Sequence, residues 1–206
     1  MNIGANQVKE LRLKTGAGMM DCKKALLNSD GDLNKAIDYL RRTGISKAEK
    51  KGSRDTKEGI VYSYIHAGGK LGVLIEINCE TDFVAKTEGF KTLAHNLAMH
   101  IAATSPVSID RKSIASDTIK REEDILTDQA KSEGKPENII KKIVDGRLNK
   151  FYQENCLLDQ TFVKDQDKKI SDIITEAVST LGENISIRRF IRYAIGEEII
   201  FNNSYI

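Results

Sequence analysis

The first part of the chain repeats apolar residues at spacings of three, four and seven positions, the pattern of short amphipathic helices. The residues in this pattern are Val8, Leu11, Met19, Cys22, Leu26, Leu33, Ala36, Ile37 and Leu40. Polar, glycine-containing segments at 15–18 and 28–32 separate three helices, and Gly44 is placed to end the third. The sequence therefore predicts a three-helix bundle over residues 1–45, which is small enough to need support from a neighbour or partner.

A basic stretch follows the predicted bundle. Seven of the residues at 41–57 are basic and two are acidic, and no apolar periodicity continues through them. A solvated linker explains such a run most simply, and contact with phosphate groups is the alternative. We therefore predict a linker over residues 46–57 and a second domain over residues 58–206.

The second domain contains three segments that are typical of β-strands. Residues 60–65 are rich in Val, Ile and Tyr, and residues 71–77 alternate apolar and polar side chains. The glycine-containing segment 67–70 lies between them, which favours an antiparallel hairpin. Residues 185–195 alternate in the same way and predict a third strand. We expect a small antiparallel sheet of about three strands.

Helices are predicted for most of the remaining chain. Apolar stripes predict a helix over 90–102 that ends before Pro106, a weaker helix around Ile125 that ends at Gly134, a helix over 136–151 and a helix over 170–181 that ends at Gly182. The second and third of these are expected to form a helical hairpin. Strands followed by helices and a further strand predict an α+β fold.

Composition narrows the class of protein. The chain has 206 residues, of which 30% are charged and 40% hydrophobic, with a net charge of +2. These values exclude a disordered chain, and the apolar runs are far shorter than the roughly 20 residues that a membrane helix needs. Cys22, Cys79 and Cys156 are far apart and form no C-x-x-C pair. They are typical of reduced thiols, so we expect a cytoplasmic protein.

Motifs for catalysis and cofactor binding are missing from the sequence. The loop with Gly16 and Gly18 does not fit the dinucleotide fingerprint, because Asp21 stands where that motif needs glycine. It does not fit the P-loop either, because no Gly-Lys-Ser or Gly-Lys-Thr follows. The three histidines lie in no ligand motif, and Cys79 has no base near it in the sequence. We therefore predict that the protein is not an enzyme and holds no metal or cofactor.

The segment 76–86 stands out at the predicted end of a strand and start of a helix. Thr81 or Asp82 can cap that helix. Phe83 precedes Phe90 by seven residues, so a helix extended backwards would bring its ring to the apolar stripe and into the core. The alternative is that the turn projects Asp82 and Phe83 outwards as an anchor for another protein.

Two segments together resemble the bacterial elongation factor Ts family, the nucleotide exchange factors for elongation factor Tu. Residues 11–26, with the sequence LRLKTGAGMMDCKKAL, are similar to the N-terminal signature of the family. Residues 76–86 are similar to its Thr-Asp-Phe-Val signature. Shorter similarities at 134–137, 146–148 and 182–190 extend the resemblance over nearly the whole chain.

The resemblance implies a ubiquitin-associated-like bundle followed by an α+β core. It implies that Thr81, Asp82, Phe83 and Val84 perform the exchange step on elongation factor Tu loaded with GDP. The Asp-Phe pair would wedge between helices of the GTPase domain and displace Mg²⁺, so that GDP leaves and GTP can load. Arg12, Met19 and Met20 would contact the partner's nucleotide domain, although the methionines could instead pack within the bundle; Met20 is the better candidate for exposure.

The resemblance also separates this chain from longer relatives. Those carry a second copy of the hairpin-bearing subdomain, and here residue 90 runs directly into the segment 98–102 without it. A homodimer across the incomplete core would compensate for this loss. The tail 196–206 departs from the family's usual ending, and its residues Ile199, Ile200 and Phe201 are candidates for packing or association.

Two other classes of function are alternatives to this one. An RNA-binding module would use Arg188, Arg189 and Arg192 together with the basic stretch, but the near-neutral net charge argues against it, so we predict no direct contact with nucleic acid. A small enzyme would need coupled acid and base groups, which the sequence does not provide.

Overall fold

The computed structural model describes residues 3–197, and the apolar tail residues Ile199, Ile200 and Phe201 lie outside that range. The chain divides into two compact units. The first consists of the chain up to Tyr62, Ile75–Asn96 and Asp172–Phe190, and the second of Ser63–Leu74, Leu97–Ser171 and the chain from Ile191. The described residues contain eight α-helices, a three-stranded antiparallel sheet and a two-stranded sheet, so the predicted α+β class is confirmed.

Three helices form the first part of the chain, as predicted. They are α1 (Ala5–Thr15), α2 (Met19–Leu27) and α3 (Leu33–Lys51). Their apolar stripes meet in one buried cluster of Val8, Leu11, Cys22, Ala25, Leu26 and Ala36. Helix α1 ends where Gly16 adopts the left-handed conformation, with φ of 67°, which costs little only for glycine.

The predicted helix end at Gly44 is wrong. Helix α3 continues to Lys51, because residues 45–51 contain Lys, Ala and Glu, which favour helix even without an apolar stripe. Gly44 is buried inside the helix, and a methyl group there would lie 3.0 Å from Ser179 Oγ. Its role is close packing and not helix termination. Residues 46–51 of the predicted linker are thus helical, while the division into domains 1–45 and 58–206 stays a prediction.

Five strands make up the two sheets. They are β1 (Glu58–Ile65), β2 (Leu71–Cys79), β3 (Thr161–Phe162), β4 (Asp165–Lys169) and β5 (Ser186–Ala194). The larger sheet has the order β1-β2-β5, which confirms the three predicted strands. The smaller hairpin pairs β3 with β4 antiparallel, with Thr161 opposite Lys169. It was not predicted, because β4 is entirely polar and offers no alternating pattern.

The remaining helices lie close to their predicted positions. They are α4 (Asp82–Ala85), α5 (Glu88–Thr104), α6 (Ser116–Ser132), α7 (Glu137–Asn155) and α8 (Ile170–Leu181). Gly134 and Gly182 follow α6 and α8 with φ of 70° and 83°, as their predicted roles at helix ends require. Helices α6 and α7 form the predicted hairpin around a small core of Leu126, Ala130, Ile140 and Val144.

The three cysteines are free and buried. Within residues 3–197, no helix is long and apolar enough to cross a membrane. The same part of the chain contains no group of three or more His, Cys, Asp or Glu side chains that could hold a metal ion.

Candidate partner-binding site

Strand β2 and helix α4 meet at a tight turn in the first unit, and Thr81–Val84, here called the TDFV segment, begins in that turn. Thr81 has extended backbone dihedrals, and its hydroxyl oxygen accepts a hydrogen bond from the Val84 amide at 3.5 Å. It is therefore Thr81, of the two candidates in the sequence, that caps the helix. Cys79 ends the strand, and burial raises the pKa of its thiol.

Glu183 binds this turn from the loop that follows α8. Its Oε2 accepts hydrogen bonds from the backbone amides of Glu80 and Thr81 at 3.0 and 2.9 Å. Its Oε1 accepts a further bond from the Thr81 hydroxyl at 2.6 Å. One carboxylate thus holds three donors of two adjacent residues, an arrangement that fixes the direction in which the helix starts.

Glu80 returns a bond to the same loop. Its Oε1 accepts a hydrogen bond from the Asn184 amide at 2.6 Å, and its Oε2 lies 3.3 Å from Arg54 Nη1. The Asn184 side chain in turn donates to the Arg54 carbonyl at 2.8 Å. The Asn184 amide, followed by the Arg54 guanidinium, lowers the pKa of the Glu80 carboxyl below its ordinary value. The end of β2 and the loop after α8 therefore each accept hydrogen bonds from the other.

Asp82 stands at the first position of α4 and is half-exposed. Its Oδ2 lies 2.6 Å from Lys86 Nζ, four residues further on, and this hydrogen bond lowers the pKa of the carboxyl. Asp82 is therefore ionised at neutral pH. Both side chains of the pair face water, so a partner could separate them at little cost.

Phe83 projects from this short helix into solvent. It is 79% exposed, whereas Ala85 two residues later is buried. Helix α4 ends at Ala85 and α5 begins at Glu88, so Phe83 and Phe90 do not lie on one continuous helix. The core interpretation of Phe83 is therefore wrong. The turn carries an ionised carboxylate beside an exposed aromatic ring.

The three other predicted contact residues are also accessible. Arg12 is exposed on α1, and Met19 and Met20 begin α2 with 47% and 76% exposure. Met20 is the more exposed methionine, as expected from the stripe that Met19 shares with the core. These residues lie on different elements of the first unit from the TDFV segment.

Sequence reasoning missed several residues around the site. Leu13 is as exposed as Phe83. It lies only two residues after the core residue Leu11, off the spacing of three and four that the buried stripe follows, and this could have signalled its exposure. Glu80, Glu183 and Asn184 were not singled out, because bonds between segments about a hundred residues apart leave no local pattern.

A second exposed surface lies in the second unit. Apolar residues of the three strands, together with Ile195 directly after β5, face solvent there. We call them the apolar sheet face: Ile65, Leu74, Ile191, Tyr193 and Ile195. The neighbouring β2 residue Val73 is buried, as the period of two along a strand requires. Contiguous apolar surface of this kind commonly marks an interaction site.

One protein family model and several named proteins are similar in sequence to this chain. A family model described as "Elongation factor TS" matches residues 42–197. Relatives that carry the name elongation factor Ts include the following three. The protein of Moorella thermoacetica is 54% identical over 198 residues, covering 96% of this chain and 98% of the relative. That of Syntrophomonas wolfei is 56% identical over 197 residues, covering 96% and 92%. That of Fervidobacterium nodosum is 53% identical over 197 residues, covering 96% and 100%.

These matches define the chain as a translation elongation factor. It belongs to the elongation factor Ts family, as the two signatures indicated. The Moorella and Fervidobacterium relatives are aligned over almost their whole length, so they are about as long as this chain.

Proposed function

We propose that this protein is the guanine nucleotide exchange factor for elongation factor Tu. It binds the GDP-loaded GTPase, displaces Mg²⁺ and promotes GDP release so that GTP can load. It works by non-covalent binding in the cytoplasm, without a cofactor of its own. The observation that carries this proposal is the exposed Phe83 beside the ionised Asp82, on a turn that belongs to the family's Thr-Asp-Phe-Val signature.

The physical requirement for exchange is a difference in affinity. Backbone amides, lysine and Mg²⁺ neutralise the phosphate charge of GDP, so the nucleotide leaves such a GTPase slowly. The protein accelerates release only if it binds the nucleotide-free conformation better than the loaded one. Linkage then requires GDP and Mg²⁺ to weaken binding of the protein by the same ratio.

The Phe83 ring can supply a large part of that difference. Full burial of a phenylalanine side chain contributes about 1.5–3 kcal/mol. Because the ring is 79% exposed, most of this free energy is available on binding. If the pocket for the ring opens only when the GTPase residues around Mg²⁺ shift, this free energy favours binding to the nucleotide-free state.

Arg12, Met19 and Met20 supply a second set of contacts to the nucleotide domain. Methionine side chains adapt to irregular apolar surfaces, and their exposure supports this role. These contacts would hold the partner in both nucleotide states. Their loss should therefore raise the concentration of protein needed for half-maximal exchange and leave the maximal rate largely unchanged.

The direct test uses elongation factor Tu loaded with a fluorescent GDP analogue. Addition of this protein with excess unlabelled GDP should accelerate the fluorescence change in proportion to its concentration until saturation. Raising free Mg²⁺ should increase the concentration needed for half-saturation, because linkage is reciprocal. A release rate that is the same with and without the protein would reject the proposed function.

We propose further that the protein is a homodimer that pairs through the apolar sheet face. The resemblance to longer family members implies that this chain is without their second hairpin-bearing subdomain, and a second copy of the chain would cover the residues exposed here. Sedimentation should give a dimer at micromolar concentration, and Ile65→Glu should convert it to a monomer, because a charge would be buried at the interface. Val107→Glu is the matched control, since Val107 is an exposed residue of the same unit outside the face. A wild-type monomer would exclude the dimer.

A further inference from the structure

We infer that Glu183 is a positioning residue for nucleotide exchange, which holds the TDFV segment so that Phe83 is presented in one direction. This inference rests on the proposed function. It concerns a residue that lies about a hundred positions further along the chain than the turn it holds. The contacts of the Glu183 carboxylate with the turn carry the inference.

The two exposed side chains of the TDFV segment do not hold it in place. Helix α4 is a single turn of four residues, and short helices are unstable unless other groups fix them. Phe83 and Asp82 face solvent, so neither side chain anchors the turn to the core. A side chain that must insert into a partner needs a rigid support.

Glu183 provides that support by accepting three hydrogen bonds from two residues. The amides of Glu80 and Thr81 both donate to Oε2, and the Thr81 hydroxyl donates to Oε1. Because this hydroxyl proton is directed at Glu183, the hydroxyl lone pairs remain free to accept from Val84. The same carboxylate therefore orients both the strand end and the helix cap.

The loop that carries Glu183 is itself fixed. Gly182 adopts φ of 83° and turns the chain out of α8, and the Lys51 side chain at the end of α3 donates to its carbonyl oxygen. Asn184 donates its amide to Glu80 and its side chain to the Arg54 carbonyl. Two helix ends and a strand end are thus joined at the root of the TDFV segment.

The first test follows the amide hydrogens of the isolated full-length protein. Glu183→Ala should accelerate hydrogen exchange at the Glu80 and Thr81 amides by roughly tenfold or more, as expected for the loss of bonds to a charged acceptor. Glu183→Gln keeps an acceptor oxygen and should give a smaller increase. Glu133→Ala is the control: Glu133 accepts two bonds of 2.8 Å from Arg147 in the other unit, and its loss should leave both amides unchanged.

The second test measures stimulated GDP release at saturating protein. Glu183→Ala should lower the maximal rate roughly tenfold with a smaller change in half-saturation, because the contact surface is kept while its geometry is lost. In a Phe83→Ala background the same substitution should cause little further loss. If Glu183 were merely structural, its substitution would lower the rate of GDP release by the same factor in the wild-type and the Phe83→Ala background. It would also accelerate amide hydrogen exchange throughout the unit.

The outcomes separate this inference from the function on which it rests. A wild-type protein that does not accelerate GDP release overturns both. Acceleration by the wild type that persists unchanged in Glu183→Ala overturns the positioning role alone, as do unchanged Glu80 and Thr81 amides.

Discussion

Phe83 and Phe90 lie seven residues apart on consecutive helices, and the molecule uses them in opposite ways. Phe90 is fully buried at the start of α5, while Phe83 on α4 is 79% exposed. The same ring therefore stabilises the fold at one position and is left in water at the other. Exposure of Phe83 has no benefit for the isolated chain, which supports a role in binding.

Thr87 separates the two phenylalanines. Its hydroxyl donates to the Val84 carbonyl at 2.8 Å and accepts from the Phe90 amide at 3.2 Å. The first bond closes α4 and the second starts α5, so the helical stripe that contains Phe90 does not reach Phe83. The bonds of Thr87 thus lie at the break between the helix with the exposed ring and the helix with the buried ring.

The largest expected effect is on stability. Phe90→Ala should lower the free energy of unfolding by about 3–5 kcal/mol, because it removes a buried ring and leaves a cavity. Phe83→Ala should change it by no more than about 0.5 kcal/mol, as for other surface substitutions. Urea unfolding of both variants measures the difference. Equal losses would mean that the two rings share the core.

The next largest effect is expected at Thr87, between α4 and α5. Thr87→Ala should cost about 0.5–2 kcal/mol of unfolding free energy, the usual range for a lost cap. Thr87→Ser keeps the hydroxyl and is the matched control. A Thr87→Ala protein as stable as the serine variant would show that the break between α4 and α5 does not depend on this hydroxyl.

A smaller effect is expected on the pH dependence of stability, through Glu80. The pKa of Glu80 is lowered in the folded protein, so its contribution to stability is present above its ordinary pKa of 4.5 and is lost as pH falls below that value. Glu80→Gln should therefore be less stable than wild type near neutral pH, with a difference that shrinks in acid. Unfolding midpoints across this range measure it. A difference that is independent of pH would contradict the assigned cause.

The smallest effect concerns the exposed pair of Asp82 and Lys86. Lys86→Ala should raise the pKa of Asp82, because its main hydrogen-bond partner is lost, and should leave the unfolding midpoint unchanged. An NMR titration of the Asp82 carboxyl carbon follows the first expectation. Lys91→Ala is the control, since Lys91 pairs with Glu88 outside the segment. An Asp82 pKa that is the same in both variants would contradict the pairing.

The sequence predicted best those features that have a local pattern. Alternation around Val73 predicted a strand, and Gly182 predicted a helix end, because each follows from neighbouring residues. Gly44 was misread, since close packing against Ser179 and helix termination both select glycine. The polar strand β4 has no periodicity to detect.

The candidate site shows the same division. The Asp-Phe pair was found through its resemblance to a family signature, whereas periodicity alone allowed the core interpretation of Phe83. The structure excludes that interpretation, because Phe83 is 79% exposed. Thr87 lies three residues before Phe90, and threonine at that spacing is a capping signal that could have indicated the break between α4 and α5. The bonds of Glu183 to the turn join distant segments, and only the fold brings them together.

The most direct measurement compares wild type and Phe83→Ala in stimulated release of fluorescent GDP from elongation factor Tu, at saturating protein and fixed Mg²⁺. The variant should keep the wild-type unfolding midpoint and lose about tenfold to a hundredfold in maximal release rate, since about 1.5–3 kcal/mol of ring burial no longer favours the nucleotide-free state. A fully folded variant that releases GDP at the wild-type rate would contradict the wedge role of Phe83.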